Sequence, residues 1–169
     1  MKTATEISGD KINLFMQDHM ERLDTDIKAM YRKHSAEGKL RSGATFSTVM
    51  SLIKESFLQL SEFMSEQYTW TTNESLVVNN ELVKTLKEQG KFYLEQFHKH
   101  SIPHMKEAAR IVGKESFFER FMPEINESLS NAYSKLEAHI DTISLERKNK
   151  GIKGLLKAIP GLLSKVFGK

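Results

Sequence analysis

Apolar residues recur every three or four positions along four long stretches of this 169-residue chain. The first stretch, from about Asp10 to Glu37, shows the pattern at Ile12, Phe15, Met16, Met20, Leu23, Ile27, Met30 and Tyr31. This spacing places apolar side chains on one face of an α-helix, and no stretch shows the alternation typical of a β-strand. Four amphipathic helices with short connections most simply form an antiparallel bundle, so we predict an all-α fold.

The other three stretches run from about Thr45 to Tyr68, from about Asn73 to Ser101, and from about Lys114 to Asn149. Asp10 is the predicted N-cap of the first helix. We expect the sequence TWTTN at 69–73 to end the second helix, because it interrupts the apolar pattern. Asn73 is then a suitable residue to begin the third helix.

Two prolines fall inside the third and fourth predicted helical regions. Proline lacks the backbone donor that a helix interior needs, so we expect a break or kink near Pro103 and another near Pro123. After Pro103, a short helix is expected as far as Val112, with Gly113 as its stop.

Charge divides the chain into two unlike parts. All 22 acidic residues lie at or before Glu146, together with 18 of the 25 basic residues, which leaves residues 1–146 with a formal charge of −4. The remaining residues, 147–169, contain seven basic residues and no acidic ones. We therefore divide the chain into a helical bundle, 1–146, and a basic C-terminal segment, 147–169. A split of this kind is typical of a segment that contacts an anionic surface.

The basic C-terminal segment has the pattern of an amphipathic helix. On a helical wheel, its large apolar residues occupy a sector of roughly 140°. They are Ile152, Leu155, Leu156, Ile159, Leu162, Leu163, Val166 and Phe167. Its basic residues are Arg147, Lys148, Lys150, Lys153, Lys157, Lys165 and Lys169, and none of the lysines between 152 and 167 falls in the apolar sector. In composition and spacing the segment resembles linear cationic antimicrobial peptides, which also contain an occasional proline, here Pro160.

This pattern favours a helix that lies in a membrane interface rather than one that crosses a bilayer. We therefore predict a non-enzymatic interaction protein whose C-terminal helix contacts an anionic membrane surface, inserts its eight apolar residues and places its seven basic residues near headgroups. A membrane-perturbing effector is one form of this function. The chain has no apolar run that could serve as a signal peptide or span a bilayer, so we expect it in the cytoplasm or at the membrane periphery.

The same pattern leaves a second interpretation open. An amphipathic C-terminal helix can instead pack on the bundle or on a protein partner, which predicts a helical adaptor or oligomerisation module. A homo-oligomer would show the same apolar stripes. Nucleic acid is not the expected partner, because the basic C-terminal segment has one aromatic residue, Phe167, and no Arg-rich base-reading pattern.

Residues that could carry out chemistry are few. The only histidine cluster is His98, His100 and His104, of which the last two have the i, i+4 spacing of metal ligands on one helical face. Pro103 is expected to spoil that geometry, and the Glu95-x-x-His98 motif that di-iron bundles use in pairs occurs once. With no nucleophile motif and no glycine-rich phosphate loop, we expect no enzyme and no cofactor, and keep these histidines as the metal candidates.

Overall fold

The computed structural model describes the backbone of residues 2–167 and the side chains of residues 2–150. Four helices account for nearly all of it: α1 (Ala4–Ala36), α2 (Gly43–Glu74), α3 (Asn80–Val112) and α4 (Ser116–Phe167). None of the residues described lies in a β-strand. The connections, 37–42, 75–79 and 113–115, are short, so the prediction of an all-α bundle is confirmed.

Successive helices run antiparallel, as the short connections favour. Between α1 and α2, the rings of Phe15 and Phe63 stack with their centroids 3.9 Å apart. α2 and α3 contact each other, and each also contacts both α1 and α4. Over the residues described, α1 and α4 do not contact each other, so they lie on opposite sides of the α2–α3 pair. The two middle helices therefore form the centre of the bundle.

All four helices contribute to a single apolar core. Its fully buried members include Ile12 and Ile27 from α1, Ile53, Leu60 and Met64 from α2, Leu86, Leu94 and Phe97 from α3, and Ile125, Leu136 and Ile140 from α4. These residues occupy the apolar stripes that the sequence predicts. Burying a side chain of this size contributes about 1.5–3 kcal/mol, so the stripes account for the cohesion of the bundle.

The end of α2 differs from the prediction. α2 continues through the TWTTN sequence to Glu74, so the expectation that this sequence ends the helix is wrong. Thr71 and Thr72 are buried and donate hydrogen bonds from their hydroxyl groups to the carbonyl oxygens of Gln67 and Tyr68, at 2.9 and 2.8 Å. Because the hydroxyls find partners one turn back along the helix, these polar residues do not interrupt it.

The beginning of α3 is also later than predicted. Asn79, not Asn73, is the N-cap, and its side-chain oxygen accepts a hydrogen bond from the backbone N–H of Leu82 at 2.8 Å. As a result Leu76 and Val77, which fall within the third predicted helix, lie in the connection between α2 and α3 and are exposed.

Neither proline ends its helix. α3 continues through Pro103 to Val112, so the predicted break is wrong, whereas the predicted stop at Gly113 is confirmed by its left-handed φ of 73°. Pro103 has no N–H to donate to the carbonyl of Lys99, one turn earlier in the helix. Both residues are exposed, so water can bond to that carbonyl. α4 likewise runs through Pro123, which is exposed. No helix in the described part of the chain is long and apolar enough to cross a membrane.

Candidate functional site

The basic C-terminal segment begins at the end of the bundle where α2 ends and α3 begins. The guanidinium group of Arg147 donates a hydrogen bond to the backbone carbonyl of Asn73 at 3.3 Å. The ammonium group of Lys148 donates one to the side-chain oxygen of Asn80 at 3.1 Å. Because α2 ends at Glu74 and α3 begins at Asn80, the bodies of both neighbouring helices stop level with these two basic residues.

Exposed apolar side chains lie at the same end. In the connection between α2 and α3, Leu76 is 100% exposed and Val77 is 70% exposed. The connection borders a shallow surface depression that also includes residues 3–5 and Leu82. Leu145, two residues before Arg147 and three before Lys148, is 60% exposed. Clusters of exposed apolar side chains are typical of interaction surfaces, so this end is a candidate contact surface.

Acidic residues flank this surface. Glu74 and Glu81 border the depression and are exposed, and Glu146 is exposed next to Arg147. These carboxylates oppose the approach of an anionic surface. The basic residues of 147–169, which have no acidic neighbours within the segment, are therefore the main source of attraction to such a surface.

Of the predicted membrane-contacting residues, three have described side chains. Arg147, Lys148 and Lys150 are all exposed, with the first two making the contacts given above. The predicted inserting residues and the remaining lysines lie outside the described side chains; they are Ile152, Leu155, Leu156, Ile159, Leu162, Leu163, Val166, Phe167, Lys153, Lys157, Lys165 and Lys169.

A second site is formed where α3 faces α1. Because α3 continues through Pro103, His100 and His104 lie one turn apart on the same face, with ring centroids 5.3 Å apart. Both direct their Nε2 atoms at one oxygen, Oδ1 of Asp24 on α1, and each Nε2–Oδ1 distance is 2.8 Å. Burial disfavours the charged carboxylate, but the bonds from the two histidines outweigh that cost and hold the pKa of Asp24 below its usual value.

His98 does not join this group. Its ring lies against Phe57, with centroids 6.3 Å apart, and burial lowers its pKa. Two of the three histidine candidates are thus brought together, and the third faces the core. The sequence analysis did not single out Asp24, the carboxylate that completes the group. No local signal marks it, because Asp24 is 76 and 80 residues away from its two partners.

Comparison of this chain with models of known protein families, with curated proteins and with solved structures gives no match.

Proposed function

We propose that this protein binds anionic membrane surfaces through its basic C-terminal segment, 147–169, which the helical bundle presents at one end. One observation carries the proposal: exposed apolar and basic residues lie at the same end of the bundle. Leu76 and Val77 are exposed in the connection between α2 and α3, and Arg147 and Lys148 contact the helix ends on either side of that connection. Apolar side chains next to cations match the two parts of a lipid interface, the acyl boundary and the anionic headgroups.

The charge of the segment supplies the attraction. It carries seven basic residues and no acidic ones, and each basic residue near an anionic leaflet contributes roughly 1 kcal/mol. The −4 charge of residues 1–146, with Glu74 and Glu81 closest to the surface, opposes part of this attraction. Binding should therefore require anionic lipid and weaken as salt is added, since salt screens charges separated by more than about 8 Å at physiological ionic strength.

Apolar insertion supplies the rest. The helical wheel of 152–167 places eight large apolar residues in one sector, and a cation-bearing helix of this type lies flat in the interface. Leu76 and Val77 would add to the inserted surface if the bundle approaches with this end first. We infer that the inserted segment also perturbs the bilayer.

Vesicle flotation of the full-length chain tests the proposal. We expect the protein to float with vesicles that contain phosphatidylserine, not with phosphatidylcholine alone, and to float less at high salt. The double variant Leu156→Glu/Leu163→Glu should lose at least tenfold in bound fraction, because each change places a carboxylate in the apolar sector. The variant Leu76→Glu/Val77→Glu should lose part of the vesicle binding. Leakage of a dye from the same vesicles tests whether the bound protein perturbs the bilayer.

A matched control is available on α2. Leu58 is 44% exposed and lies sixteen residues before the end of that helix, about 24 Å along its axis. Leu58→Glu should therefore bind vesicles as the unchanged protein does. Absence of flotation at every salt concentration, or flotation that survives Leu156→Glu/Leu163→Glu, would contradict the proposal. The first result would favour the alternative, an adaptor or oligomerisation module whose exposed end a protein covers.

A further inference from the structure

Asp24, His100 and His104 form a compact group of potential metal ligands on two different helices. One donor atom from each side chain lies within 4.8 Å of those from the other two. The two histidines are held on one face of α3 by their i, i+4 spacing, and Asp24 is held opposite them on α1. All three donors are therefore positioned by regular helices rather than by loops, which favours a defined geometry.

The distances within the group are close to those of an occupied site. Zinc–ligand bonds of about 2.0–2.1 Å at tetrahedral angles hold neighbouring ligand atoms about 3.3 Å apart. The two Nε2–Oδ1 distances are 2.8 Å, which are hydrogen-bond lengths. An opening of about half an ångström, well within side-chain rotation, would let an ion replace the Nε2 protons.

The chemistry of the donors selects the class of ion. Imidazole nitrogen suits zinc and the other divalent ions of the first transition row, whereas magnesium and calcium prefer all-oxygen sites. The three side chains are 30%, 21% and 35% exposed for His100, His104 and Asp24, so an ion has a path from solvent and water can complete its coordination.

We propose that Asp24 Oδ1, His100 Nε2 and His104 Nε2 form a mononuclear site for a divalent transition-metal ion, with zinc as the leading candidate and water in the remaining position. The ion would link α1 to α3 where a hydrogen-bonded contact now joins them. This site is independent of the membrane proposal, because it uses no residue of 147–169.

Metal titration of the full-length chain without a polyhistidine tag tests this inference. We expect Zn²⁺ to bind with a stoichiometry of one by calorimetry, and Co²⁺ to develop visible absorption bands of a low-coordinate site. Zn²⁺ should also raise the melting temperature, because it binds the folded chain and cross-links two helices. Affinity should fall as pH is lowered, since protons compete for the imidazoles.

Three variants and one control locate the ion. His100→Gln, His104→Gln and Asp24→Asn should each weaken binding at least tenfold and remove the Co²⁺ bands. Asp24→Asn keeps an oxygen that accepts the histidine hydrogen bonds, so its fold, checked by circular dichroism, should persist without metal. His98→Gln removes an imidazole from the same stretch of α3 and should bind as the unchanged protein does. The inference would be overturned if the unchanged protein does not bind Zn²⁺, or if Asp24→Asn and His104→Gln bind it as tightly as the unchanged protein does.

Discussion

His19 is a buried titratable residue that sets a limit on acid stability. Its ring is 3% exposed and lies between Phe15, with centroids 5.4 Å apart, and Phe97, at 5.8 Å. Neither ring nitrogen makes a well-formed hydrogen bond to another of the described residues. Burial, as the largest cause, lowers the pKa of His19 and outweighs the opposing effect of the Ser56 backbone. The folded protein therefore holds this ring in its neutral form.

The lowered pKa makes the free energy of unfolding depend on pH. In the unfolded chain His19 takes up a proton below about pH 6.5, while in the folded chain it stays neutral until a lower pH. The unfolded state then binds more protons, so stability falls as pH decreases from about 6.5 towards the folded pKa, by up to about 1.4 kcal/mol per pH unit. Above pH 6.5 this contribution is fully retained.

Substitution of His19 by leucine should remove this dependence. At pH 7.5 we expect His19→Leu to change the free energy of unfolding by no more than about 1 kcal/mol, because an apolar side chain replaces unpaired ring nitrogens. At pH 5.5 the variant should be more stable than the unchanged protein. Urea denaturation at both pH values measures the free energy of unfolding of the variant and of the unchanged protein. Ile140→Val is the control, because Ile140 is buried on α4, which does not contact α1, so its loss of stability should be the same at both pH values. If the stability of His19→Leu depends on pH as that of the unchanged protein does, the explanation is wrong.

At the scale of elements, α3 and α4 approach closely at Gly90. A Cβ atom placed on Gly90 would lie 2.5 Å from Cδ2 of Leu136, and 3.6 Å from Cε2 of Tyr68. Leu136 is 1% exposed and Tyr68 is fully buried, so neither can move into solvent. The glycine that weakens α3 as an isolated helix, by about 1 kcal/mol relative to alanine, is therefore what allows α4 to pack against it.

Gly90→Ala should consequently destabilise the protein. Overpacking of a tight core costs about 1–3 kcal/mol and the gain in helix propensity is about 1 kcal/mol, so we expect a net loss of up to about 2 kcal/mol in urea denaturation. Gly43→Ala is the matched control, because nothing lies within 4 Å of its added Cβ and it should cause no loss. If Gly90→Ala is as stable as the unchanged protein, that result would contradict the close approach of α3 and α4 at this position.

The elements also show how far local sequence signals reach. The apolar periodicity correctly predicts core residues such as Ile53 and Leu60, because one helix face is buried along its whole length. Helix ends are less predictable. Asp10 and Asn73 have the same capping chemistry as the actual N-caps, Thr3 and Asn79. For α1 the sequence does hold a local signal that the prediction missed, because Thr3 and Glu6 form a capping box.

The histidine group shows the same limit for a site. The i, i+4 spacing identifies His100 and His104 as a pair, but the expected effect of Pro103 argues against their shared face. The helix tolerates this proline because it is exposed, which is a property of the assembled bundle. Asp24 joins the pair only through the register between α1 and α3, and that register is set by core packing along both helices rather than by residues near Asp24.

At the scale of the whole molecule, the two proposed sites are well separated. His100 lies twenty residues after the first residue of α3, about 30 Å along the helix axis from the end at which Lys148 contacts Asn80. Metal binding at the histidine group and lipid binding at the basic end should therefore not interfere. In particular, Leu156→Glu/Leu163→Glu should retain the rise in melting temperature that Zn²⁺ produces.

The same separation predicts how the bundle responds to changes in its basic C-terminal segment. Because α2 ends and α3 begins level with Arg147 and Lys148, the core that residues 2–150 form ends at that level. We therefore expect Leu156→Glu/Leu163→Glu to leave the melting temperature within about 2 °C of the unchanged protein, the size of a surface substitution in a chain of this length. Calorimetry measures the melting temperature, and light scattering after size-exclusion chromatography measures the oligomeric state. A fall of several degrees, or a change of oligomeric state, would show that the segment packs on the bundle or on a second copy, and the adaptor interpretation would then replace the membrane one.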